Sequence, residues 1–289
     1  QTPNPKPQTP NPKPQTPEPG VLSLSFGWSN TIDIYKEMLS KDVQALVMEG
    51  LGVFALCWVG GWAVQWNIEG AENVTGVALA HGFVLGLFVY LGASISGGHF
   101  NPAVTFSLFL TGYVAIEQCI KYILAQIAGS FAAGAVLYLM RPTVFAKTRD
   151  ARQLGHPSLP DDVDTSVGFT CEAIAAGTLV LCVMSAGVHR KAPEATTATM
   201  VGASLLLGVL SIGNTTGAAL NPCRVLGPAF FSGRVFERGA LVYYFGPIVG
   251  GAVAALLYKF FFMEYGKSVT IADETIREEE TISKPFIEN

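Results

Sequence analysis

Two short stretches decide the fold: SGGHFNPAVTFSLFL at residues 96–110 and TTGAALNPCRVLGPAFF at residues 215–231. In each, Asn-Pro opens an apolar segment of about ten residues. Asn is a strong N-cap, and Pro suits the first helical position because its missing N–H would be unpaired there anyway. Both segments therefore start as helices. A helix that crosses hydrocarbon needs about 20 residues, so these two are too short to span and suit re-entrant half-helices.

The surroundings of the two stretches place them in lipid. Of 289 residues, 50% are hydrophobic and only 14% charged, whereas soluble domains carry charge on roughly a quarter of their residues. Segments free of Asp, Glu, Lys and Arg run over 51–68, 73–116, 122–140, 173–189, 195–223 and 239–258. Continuous apolar runs without period-two alternation select helices over a closed barrel. Six spans are expected, at 43–66, 74–95, 114–140, 167–188, 195–213 and 239–263, in an all-α membrane protein with two half-helices. The net charge of −4, with no basic patch, excludes nucleic acid as a partner.

The sequence repeats itself around the two Asn-Pro pairs. Glu49 lies 52 residues before Asn101 and Glu172 lies 49 before Asn221, each inside an otherwise apolar span. AQIAGS at Ala125 and GPIVGG at Gly246 follow at matching distances. The chain is thus two copies of one unit, 43–140 and 167–263. Three spans per copy is an odd number, so the second copy enters from the opposite side and the repeat is inverted. The half-helices are then expected to meet near the midplane.

That meeting has chemical consequences. Each half-helix N-terminus carries about half a positive charge, so two facing ends repel cations, hydronium included. Asn101 and Asn221, aimed into a pore, would donate to a permeating water and turn its own protons outward along the file. Arg224 is the only charged residue between Glu194 and Arg234. A guanidinium there must face water or a partner, which marks it as functional.

SGGHFNPAVT, TTGAALNPCRVLGP, the two span glutamates and the AQ/GP pair together resemble the aquaporin (major intrinsic protein) family over about residues 43–263. ALAHGFVLG with ISGGHFNPAVTF is most similar to plant vacuolar-membrane (tonoplast) aquaporins and ammonia-permeable animal aquaporins. The resemblance implies pore motifs Asn101-Pro102-Ala103 and Asn221-Pro222-Cys223. By offset from the two Asn it also implies a filter of His81, Val209, Ala218 and Arg224. Strict water channels carry Phe, His, Cys and Arg at these places. Val209 and Ala218 imply a wider filter with an apolar wall, open to ammonia and hydrogen peroxide beside water.

Val225 after the filter Arg, and Tyr243-Tyr244, lean away from the glycerol and urea channels that form the alternative within the family. The resemblance makes Glu49 and Glu172 structural acceptors for re-entrant amides, and implies a homotetramer in which each subunit has its own pore. Cys223 departs from the usual Ala and leaves three readings: a neutral change, altered tip packing, or a redox or mercurial site.

The remaining residues are read more plainly. His99 beside Asn101 is read as a packing histidine over a pH gate. Gly82, Gly86, Gly129, Gly134, Gly246 and Gly250 are read as helix-packing positions. Cys57, Cys119, Cys171, Cys182 and Cys223 have no metal or disulfide spacing and read as buried thiols. No metal, cofactor or catalysis is expected, since neither Gly-x-Ser-x-Gly nor His-Glu-x-x-His occurs. The rival from another class is an ion-coupled secondary transporter with Glu49 or Glu172 as coupling carboxylate.

Residues 1–40, with QTPNPKP twice and none of the charged-then-apolar pattern of a signal peptide, read as a Pro-rich disordered tail and lead-in to a channel domain over 41–266. Residues 267–289 read as an acidic disordered tail. Asn73-Val74-Thr75 is a glycosylation sequon. Lys and Arg counts give no orientation, and the location is an integral multi-pass one, at the plasma membrane or a vacuolar or other internal membrane.

Overall fold

A computed structural model describes residues 40–68, 74–144, 154–189 and 192–263. Both tails, Asn73 and the loop cations Arg190 and Lys191 lie outside them. Among the described residues every regular element is helical: α1 Lys41–Ile68, α2 Val74–Gly92, α3 Pro102–Leu110, α4 Ile116–Val144, α5 Thr165–Cys182, α6 Glu194–Thr216, α7 Pro222–Ser232 and α8 Ala240–Phe262. The last turns of α5 continue as a π-helix over Val183–His189. Six of these helices are long and apolar enough to cross a membrane. The chain is an all-α membrane protein of six spans and two half-helices.

Its surface is inverted relative to a soluble protein. Phe83, Leu139, Ile174, Leu207 and Phe261 are exposed, while Glu49, Gln126, Ser130, Glu172 and Arg224 are buried. Lipid makes this the cheaper arrangement, because apolar side chains lose nothing by facing acyl chains and polar ones must find each other or a water-filled path.

The packing repeats with the sequence. α1 lies on α4, α5 lies on α8, and α2 crosses α6. With no hydrophobic drive between helices in lipid, close backbone approach at small residues supplies the contact. A Cβ on Gly129 would overlap the Gly50 carbonyl, and one on Gly250 would overlap that of Ala173, its counterpart in the second copy. At the α2–α6 crossing, Gly82 and Gly202 each face the other's carbonyl, with 2.8 and 2.6 Å left for an added Cβ.

The two half-helices interlock the copies. α3 packs chiefly on α8 and α7 chiefly on α4, so each rests on the last span of the other repeat. Lys259 of α8 donates from Nζ to the Thr111 carbonyl at 2.6 Å, setting a cation at the negative C-terminal end of α3.

Candidate pore site

Each half-helix begins as its sequence dictates. Asn101 and Asn221 hold extended backbone, at φ −156° and −150°, and their Oδ1 atoms accept from the amides of Ala103 and Cys223 at 2.9 Å. Pro102 and Pro222 fill the first helical position. With Oδ1 committed to the cap, only Nδ2 faces away. Asn221 Nδ2 donates to the Phe100 carbonyl at 2.8 Å and Asn101 Nδ2 to the Leu220 carbonyl at 2.9 Å. The tips therefore meet and cross-link. One N–H of each amide goes to the opposite loop and the other is left over, a finer division than two amides simply pointing at water.

The loops leading into the tips use left-handed backbone. Gly97, Gly98 and Phe100 have φ of 88°, 65° and 50°, and Gly217, Ala218 and Leu220 have 81°, 52° and 52°. Three of these residues are not glycine, a strain of about 1–3 kcal/mol each that the surroundings must offset. The offset comes from the amides this backbone turns inward as a nest for an anion. Glu49 accepts from Ser96 Oγ and the amides of His99 and Phe100 at 2.7–2.9 Å, and from Gln126 Nε2 at 2.8 Å. Glu172 accepts from Thr216 Oγ1 and the amides of Ala219 and Leu220 at 2.7–2.9 Å. Both carboxylates are buried anchors of a re-entrant loop.

The repeat extends to residues that motif reading missed. Ser96 and Thr216 hydroxyls each also accept the amide two residues on, from Gly98 and Ala218. Tyr122 and Tyr243 hydroxyls donate to the carbonyls of Ser96 and Thr216 at 2.8 and 2.6 Å. Both pairs would emerge from aligning the two copies residue by residue at a shift of about 120 positions. Where the copies differ, so do the contacts: Gln126 bridges Glu49 and Thr105 Oγ1 in the first, and the second has Pro247 and Val225 instead.

Three cavities are lined by residues at or near the tips. One of about 380 Å³ is walled by Val89, Gly97, Val114, Val183 and Val201. A narrow one of about 20 Å³ touches both Asn101 and Asn221, with Leu56, Leu85 and Leu205 as apolar walls. One of about 250 Å³ is lined by Val77, His156, Val209, Gly217 and Arg224. A single water needs roughly 10–15 Å³ by this measure, so the middle stretch admits about one at a time. The narrow part is dry-walled except at the Asn tips and His99.

Of the four predicted filter positions, two line the 250 Å³ cavity and two lie behind its wall. Val209 and Arg224 line that cavity, and Ala218 follows its wall residue Gly217. His81 reaches it through Arg224, whose Nε donates to His81 Nε2 at 2.8 Å. His156, unremarked in the motif reading because it lies in the long loop between α4 and α5, joins the same wall and hydrogen-bonds Ser232 Oγ at 3.0 Å. His99 lines the two cavities on the other side and also packs, its Nδ1 3.1 Å from Thr105 Oγ1 and its ring edge-on to Tyr122.

Cys223 is buried with Cys57, whose Sγ lies 3.4 Å from the Cys223 carbonyl, and the Ser130 hydroxyl donates to that same carbonyl. It therefore packs at the tip and lines none of the three cavities. Cys57 and Cys119 are buried too, while Cys171 and Cys182 are half-exposed. That corrects the expectation of five buried thiols: a small apolar group gains little from burial when its alternative is lipid. Among the described residues no cluster of His, Cys, Asp and Glu could hold a metal.

Six spans, crossed half-helix tips and the cavities around them define the class, a membrane pore. Residues 36–258 match the Major intrinsic protein family, and the chain belongs to that family. It is 31% identical over 242 residues to aquaporin-5 of Ovis aries, covering 82% of this chain and 88% of that one. It is 33% identical over 241 residues to aquaporin A of Dictyostelium discoideum, with 78% and 82% covered, and 31% identical over 241 residues to nodulin-26 of Glycine max, with 82% and 85% covered. The aquaglyceroporin from Plasmodium falciparum shares the fold, at a TM-score of 0.68 and 23% identity, covering 76% of this chain and 96% of that chain. The protein is an integral membrane channel and not an enzyme.

Proposed function

We propose that the protein passes water, ammonia and hydrogen peroxide passively, excludes protons and ions, and assembles as a homotetramer with one pore per subunit. The observation that carries this reading is the pair of crossed amides. Asn101 and Asn221 each keep one N–H for a cavity that admits about one water, at two facing helix N-termini. A water that accepts from both amides has its own hydrogens directed along the file, and the facing dipoles oppose a cation at the same point.

Solute choice belongs to His81, Val209, Ala218 and Arg224. Val209 offers an apolar wall in the cavity that Arg224 also lines, which suits a small neutral solute such as ammonia. Glycerol is disfavoured by Val225 and by Tyr243, whose hydroxyl is tied to the Thr216 carbonyl. A coupled transporter is disfavoured because Glu49 and Glu172 are spent on loop amides. The channel domain spans 41–266 between two tails.

Stopped-flow measurements on proteoliposomes test the proposal with water, ammonia, peroxide, glycerol and urea. Water, ammonia and peroxide are expected to cross quickly, glycerol and urea to lag, and water flow to survive a collapsed proton gradient. Water flow no faster than in protein-free vesicles, or one that stops with the proton gradient, would sink it. A tetrameric mass by light scattering in detergent is expected; a monomeric one would count against the assembly.

A further inference from the structure

His81 is held in one tautomer. Its Nδ1 lies 2.8 Å from the Val77 carbonyl, which can only accept, so the ring proton sits on Nδ1. Its Nε2 lies 2.8 Å from Arg224 Nε, which can only donate, so that nitrogen offers its lone pair. The imidazole is neutral and both nitrogens are committed. It has no hydrogen bond left for a permeant and one evident task, holding the guanidinium of Arg224. Arg224 Nη1 is buried without a protein partner, on a residue that lines the 250 Å³ cavity.

The ring needs a seat, and α1 provides it. A Cβ on Gly60 would stand 2.8 Å from both Cδ2 and Cε1 of His81 and closer still to Nε2, inside contact distance of the whole edge that meets Arg224. The adjacent Gly61 serves a different contact, facing Leu137 and the Leu154 carbonyl. One turn before Gly60, Cys57 reaches the Cys223 carbonyl, so this stretch of α1 touches the half-helix tip as well as the ring.

We propose that Gly60 is a specificity-determining position of the channel: the side chain it lacks lets His81 lie against α1, where Nε2 fixes the orientation of the Arg224 guanidinium. This rests on the filter reading of Arg224 above. Gly60 lies outside the four filter positions and acts through two of them. The three atoms nearest an alanine Cβ there all belong to the far end of one side chain, which can swing away while the backbone stays. Swinging away removes the acceptor from Arg224 Nε, and the guanidinium then takes other orientations around an unchanged helix frame.

The full chain is reconstituted in liposomes and the ratio of ammonia to water permeability measured for the wild type, Gly60→Ala, Arg224→Val and the double variant. Gly60→Ala is expected to change the ratio on the order of threefold, the weight of one hydrogen bond, and to add nothing in the Arg224→Val background. Equal effects in both backgrounds, or both permeabilities scaled alike, would overturn the role of Gly60 and leave the filter intact. An unchanged ratio in Arg224→Val would overturn the filter reading itself. His81→Ala removes the acceptor without adding volume and should reproduce the ratio of Gly60→Ala. If Gly60→Ala alone does not fold, Gly60→Ala with His81→Ala, which vacates the space, is expected to fold and match His81→Ala; its failure to fold overturns the inference.

Discussion

The side-chain amide of Asn221 donates to the carbonyl oxygen of Phe100 at 2.8 Å, across 121 residues of chain. The bond joins the tip of one half-helix to the loop of the other, and it makes each tip depend on the opposite repeat for its orientation. Phe100 has a left-handed φ of 50° and is buried, so its carbonyl has no water to fall back on.

Asn221→Asp tests that dependence. A carboxylate still caps Cys223 but cannot donate, which leaves the Phe100 carbonyl unpaired at about 1–3 kcal/mol and sets a negative charge between two helix N-termini. Lower water permeability and a cation or proton leak are expected, read by stopped-flow scattering and by planar-bilayer current. An unaltered, leak-free channel would contradict the role given to the tip amides.

Glu172→Gln separates an anchor from a coupling group. Three donors converge on Glu172, from Thr216, Ala219 and Leu220. A carboxamide turns one acceptor into a donor against them, with a loss of about 1.5–3 kcal/mol per charge-assisted bond. Thermal unfolding in detergent should fall markedly, while the folded fraction conducts water without regard to a proton gradient. Full stability with altered gradient dependence would favour a transporter.

Val209→His addresses the filter wall. The imidazole would fill part of the 250 Å³ cavity that Arg224 also lines and replace an apolar surface by a polar one. Ammonia flux should drop more than water flux in paired liposome assays. Unchanged ammonia flux would place the selective step away from Val209.

Asp164 supplies a pH-dependent contribution outside the membrane. It caps α5, accepting from Ser166 Oγ at 2.7 Å and from the Ser166 amide at 2.8 Å, and these bonds hold its carboxyl below the usual carboxylate range. A depressed carboxylate stabilises the fold above its unfolded titration point and loses that contribution as pH falls through the folded one. The thermal stability gap between wild type and Asp164→Ala should therefore be present at neutral pH and close in acid. A gap that persists in acid would assign the loss to something other than the ionised cap.

The parts of this protein legible in the sequence are those set by local chemistry. Asn-Pro specifies a helix start wherever it stands, charge-free runs of span length specify lipid, and Glu49 and Glu172 betray themselves as acids in apolar company. Those signals determined six spans, two half-helices and their inverted relation. Tertiary structure decided what depends on distance in space. Asn101 and Asn221 divide their hydrogens between a carbonyl and the pore only because the tips cross. His81 acts through Arg224 only because Gly60, on a third helix, leaves room for its ring. Partners from three separate helices have no common spacing along the chain, so only the folded packing brings them together.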